Sequence, residues 1–83
     1  MSLTIAEPVS VTMMYNHHQH KTMPIEIMWR NQHYPITKVG LHHTYHEGQS
    51  LKHIFSVTSK DMFFELSFDA TDLTWRLEKS DCC

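Results

Sequence analysis

His42, His43, His46 and His53 are the residues whose types and spacing come nearest to a chemical site in this chain. Eight of the 83 residues are histidine, and imidazole is the commonest metal ligand. In an extended segment His42 and His46, four residues apart, project from one face, and His53 would approach them across a sheet. Nothing else in the pattern is specific to a metal. No paired cysteine ligand and no His-Glu-x-x-His helix accompanies them, and Glu47 is the one carboxylate at useful spacing. The expectation is therefore a histidine-rich surface, with His42, His43, His46 and His53 as candidate ligands and no other cofactor. Titration of eight imidazoles near pH 6 implies charge-dependent solubility with or without a metal.

Other chemistry is thinner. No serine lies in a GxSxG turn. Asp69 and Asp72 flank the short polar stretch Asp69-Ala70-Thr71-Asp72, where carboxylates serve turns more simply than acid–base work. A non-enzymatic protein is expected. Trp29, Tyr34, Phe64, Phe68 and Trp75 would suit a stacking platform for single-stranded nucleic acid. Their alternation beside Leu and Ile instead assigns them to a core.

That alternation reveals the elements. Phe64, Leu66 and Phe68, then Leu73, Trp75 and Leu77, form two runs of period two joined by a polar turn, an antiparallel hairpin with one dry face. Ile25, Ile27 and Trp29 make a second hairpin with Tyr34 and Ile36, Asn31-Gln32 offering the tight reversal and Asn31 being suited to a positive φ in it. Val9 to Met13 and Leu51 to Ser59 add strands, His53, Phe55 and Val57 sharing a face. Gly40 marks a bulge or bend. Residues 16–21 form a surface connection, and residues 41–50 a strand end followed by a loop. The expected class is all-β: a small antiparallel meander of about six strands over residues 7–79, between tails 1–6 and 80–83. Its single apolar face has to be covered, either by curling into a barrel or by packing face to face in a dimer.

Composition bounds the function. A formal charge of −2 offers no surplus of cations for phosphate neutralisation. No apolar run reaches the roughly 20 residues of a membrane span, and no basic-then-apolar leader opens the chain, so a cytoplasmic protein is expected. Cys82 and Cys83 end the chain, where they cannot staple a core.

One resemblance can be named on these residues. Pro24, Trp29, Arg30, Tyr34 and Ile36, then Phe64, Glu65, Leu66, Phe68 and Asp69, then Trp75 and Leu77 follow an order similar to that of a family of small uncharacterised bacterial domains. That family shows an extended WRGRxYxV segment, a later YELxYD strand and a closing WxL strand, and some members are encoded beside translesion DNA polymerases. The resemblance implies an all-β domain and, through that gene neighbourhood, an accessory role in DNA repair. Asn31 and Gln32 stand where the family has Gly and Arg. The expected function is binding or self-association without catalysis, through a homodimer or a protein partner. A nucleic-acid accessory module and a histidine metal site are the alternatives.

Overall fold

The computed structural model describes residues 2–82. Eight strands follow one another in the chain: β1 (Ser2–Pro8), β2 (Ser10–Asn16), β3 (Lys21–Trp29), β4 (Gln32–Pro35), β5 (Lys38–Glu47), β6 (Ser50–Ser59), β7 (Met62–Asp69) and β8 (Thr74–Cys82). No described helix is long and apolar enough to cross a membrane.

Two antiparallel sheets result, a larger one of order β1-β8-β7-β6-β5 and a smaller one of order β2-β3-β4. The chain passes between them at two corners. Val9 separates β1 from β2, and its N–H donates to the carbonyl of Trp75 at 3.3 Å. Ile36 and Thr37 separate β4 from β5; the Thr37 N–H and hydroxyl both reach the carbonyl of Thr58, at 2.8 and 3.1 Å.

Residues opposed in an antiparallel ladder share a face, so register assigns sides. Phe55 faces Leu66 and Leu66 faces Leu77, while Val57 faces Phe64. These five, with Ile27 from the smaller sheet, are the buried core, packed against Ile5, Val9, Trp29, Tyr34, Ile36, Val39, Met62 and Trp75. The dry face of the expected hairpin is thus real, and the chain covers it with its own second sheet. The larger sheet's ladder does not run on into the smaller one, so the architecture is two sheets rather than one continuous curled ladder.

Several expectations are corrected. The stretch 1–6 is β1 over its described part, and β8 runs on through Cys82. Edge pairing needs backbone groups alone, which every residue type supplies, and the register shift between Thr4 and Glu7, with Ala6 at φ 52°, interrupts the ladder there. Residues 41–47 are strand, not loop, because β5 is held by its ladder to β6 with almost no apolar burial of its own. Leu73 belongs to the turn at φ 61° and is 70% exposed, and Ile25 is the extra residue of a bulge that leaves Pro24 buried in its place. Proline is tolerated there because the bulge interrupts pairing. Cys83 and the side chain of Cys82 lie outside the description.

Other local readings hold. Gly40 is the bulged residue of β5, between Val39 and Leu41 in register. Asn31 has the expected positive φ, but the turn of the β3–β4 hairpin is Arg30-Asn31 rather than Asn31-Gln32: both residues have positive φ, the geometry of a type I′ reversal, and Gln32 already pairs with Trp29. The polar stretch at 16–20 is a hairpin end in which Asn16 Oδ1 accepts from the N–H groups of His18 and Gln19.

Candidate functional site

The four candidate ligands divide between two faces. Register sets His42 opposite Phe55, Thr44 opposite His53 and His46 opposite Leu51, all on the inner face of the larger sheet. His43, opposite Ile54, is on the outer face. Adjacent strand residues point to opposite sides, so no rotation of the ring brings His43 to the others without a register change. His42 and His53 do meet: Nε2 of one lies 2.9 Å from Nδ1 of the other.

The form of that meeting decides what it can do. The ring centroids are 5.1 Å apart with planes within 20°. That separation is about the nitrogen–nitrogen distance plus one ring radius at either end, so the two nitrogens face each other along the line joining the rings. Their lone pairs do not converge on a third point. The arrangement is an N–H···N hydrogen bond with one hydrogen in it, which two neutral rings or one neutral and one charged ring can make and two charged rings cannot. His42 is also stacked on Phe55, centroids 4.2 Å apart and planes within 4°. Burial, then the neighbouring charges of His53 and His43, hold the His42 imidazole below the usual histidine range. Among the described residues no group of three or more His, Cys, Asp or Glu side chains is placed to hold a metal ion.

His42 and His53 extend an aromatic tier in the core. Phe68 lies 6.0 Å from His53 and 4.8 Å from Trp75, and Trp75 lies 5.5 Å from Phe55. A second group, Trp29, Tyr34 and Phe64, packs edge-to-face or tilted where the small sheet crosses the large one. The aromatics are mainly packing, as their alternation implies.

Charged side chains pair within the chain. Glu7 accepts from Trp29 Nε1 at 3.0 Å and from Arg30 Nη2 at 2.8 Å, and the Arg30 guanidinium lies 4.4 Å from the Trp29 ring centroid. The Arg30 hydrogen bond, then that of Trp29, lowers the Glu7 carboxyl below its ordinary range. Lys52 Nζ meets Asp69 Oδ2 at 2.8 Å, which raises the ammonium and lowers the carboxyl. Asp69 also accepts from the Thr71 N–H, and Asp72 accepts from the Thr74 hydroxyl. Both aspartates serve the turn.

The most open feature is the edge formed by β5. Its ladder neighbour is β6 alone, and nine of its ten residues are exposed. On the outer face it presents Leu41, 67% exposed, and Tyr45, 43% exposed, either side of His43. Beside them a groove of about 410 Å³ is lined by Leu41, Ser56, Phe63, Glu65 and Lys79 among others. Reading 41–50 as a loop hides Leu41, Tyr45 and Glu47 as surface residues of a strand; the alternation Leu41, His43, Tyr45 was the available signal. Comparisons with protein-family models, with curated proteins and with solved structures return no match.

Proposed function

We propose that this chain is a small non-enzymatic binding module that engages its partner by strand addition at the free edge of β5. The observation that carries the reading is the edge itself. A ten-residue strand with one hydrogen-bonding side facing outward is a template for another extended segment, and proteins that do not use such an edge blunt it with proline, charge or brevity. Two of the other three edges are blunted: β4 has four residues ending in Pro35, and β1 is interrupted by a register shift and ends in Pro8; the third, β2, is shorter than β5 at seven residues, and its ladder to β3 shifts register in mid-strand. β5 has its bulge at one end and runs regularly from Leu41 to Glu47.

The remaining chemistry supports binding over catalysis or nucleic-acid contact. Asp69 and Asp72 are engaged in a turn, and the histidines that meet do so head to head. Arg30, Lys52 and Arg76, three of seven cationic residues, lie against carboxylates of this chain, which lowers the positive potential available to phosphates.

Selection from a displayed library of random peptides tests the reading. Extended peptides of alternating pattern are expected, with amide shifts on binding confined to β5 and its neighbours, and with binding lost in Thr44→Pro. Failure to recover any binder, or shifts centred on another surface, would refute strand addition.

A further inference from the structure

Resting on that reading, we infer that the segment fitting the β5 edge is β5 of a second copy, running antiparallel across a two-fold axis at His43. A two-fold pairing of identical strands opposes residues placed symmetrically about the axis, and opposed residues share a face. With the axis at His43, Leu41 faces Tyr45 of the second copy and Tyr45 faces its Leu41. The two exposed apolar side chains of the strand are thereby matched in aromatic–aliphatic cross-strand pairs. His42 faces Thr44 on the inner side.

The bulge completes the match. Because Gly40 is the extra residue of β5, Val39 and Leu41 occupy successive places along the ladder with β6. Carried across to a second copy, the same count sets Val39 opposite His46 and Lys38 opposite Glu47. Lys38 and Glu47 lie on the outer face, as their opposites Thr58 and Ser50 do. The register that pairs the apolar side chains therefore also places an opposite-charge pair at each end of the interface. Shifting it by two residues in either direction loses both features. Strand self-pairing of this kind joins the two larger sheets into one of ten strands, with the Leu41 and Phe63 grooves lying on a common outer face.

The test combines association with register. In a Cys82→Ser, Cys83→Ser background, sedimentation up to millimolar concentration is expected to show a monomer–dimer equilibrium. Lys38→Glu, at an exposed position, is expected to weaken it several-fold, and the exchange Lys38→Glu with Glu47→Lys to restore it. Opposed Cα atoms in such a pair are about 4.5–5.5 Å apart, within disulfide reach. His43→Cys is accordingly expected to give an oxidised dimer, while Leu41→Cys and Tyr45→Cys cross-link only when mixed. Cross-linking through His42→Cys or Thr44→Cys in place of His43→Cys would overturn the register. A monomer at every concentration, without cross-linking, would overturn the second copy as occupant. In that case peptide binding at β5 would still uphold strand addition, and absence of both would end both.

Discussion

Ile25 and Ile27 have the same residue type and the same parity in β3, and the structure gives them different energetic weight. Ile27 has no exposed surface and joins the core of both sheets, whereas the bulge turns Ile25 outward to 38% exposure. Ile27→Ala deletes three carbons, a transfer loss of about 2.4 kcal/mol at about 0.8 kcal/mol per buried carbon. The cavity left between the sheets adds to this, for a total of about 2–5 kcal/mol. Ile25→Ala loses part of the transfer term with no enclosed cavity, about 1 kcal/mol. For 83 residues at roughly 0.05–0.15 kcal/mol each, total stability is about 4–12 kcal/mol, so the first change removes a large share and the second a small one. Urea unfolding followed by Trp29 and Trp75 fluorescence measures both. With a slope of about 1 kcal/mol per molar, Ile27→Ala should lower the midpoint by roughly 2 M or more with the slope unchanged. Equal costs at the two positions, or less than about 1 kcal/mol at Ile27, would refute both the bulge and the shared core.

Acid should destabilise the fold in two stages. Glu7, Asp69 and His42 all have folded pKa values depressed below their unfolded ones, so each contributes stability that is present above the unfolded value and lost as pH falls through the folded one. Tm is expected to decline first below about pH 6.5 and again below about pH 4, the ordinary histidine and carboxylate values, and Glu7→Gln should shrink the second step. A Tm that rises on acidification from pH 7 to 4 would contradict this. His53→Phe removes one charge that opposes protonation of His42 while preserving the ring packing. The His42 pKa, followed by NMR titration, should therefore rise, with the effect of burial remaining. Ser59 is fully buried and its hydroxyl meets no hydrogen-bond partner among the described residues, so Ser59→Ala should be neutral or stabilising by about 1 kcal/mol in the same urea assay.

Period-two alternation alone determined the class and much of the core. Phe64, Leu66, Trp75 and Leu77 are turned inward because a strand with one wet side must sort its side chains by parity, a constraint written residue by residue. Asn31 in a left-handed turn was legible because few residues suit a positive φ, and Gly40 because a glycine inside a strand commonly marks a bulge. What the pattern could not carry was decided between strands. Bulges change parity partway along β3 and β8, and the one in β3 takes Ile25 out of the core and brings Pro24 into it. β5 buries almost no apolar surface, and its place is set by backbone hydrogen bonds that every residue type can make. The histidines show the division most clearly. Their number is a property of the composition, but which two meet, and that they meet nitrogen to nitrogen, depends on a register that only the folded sheet contains.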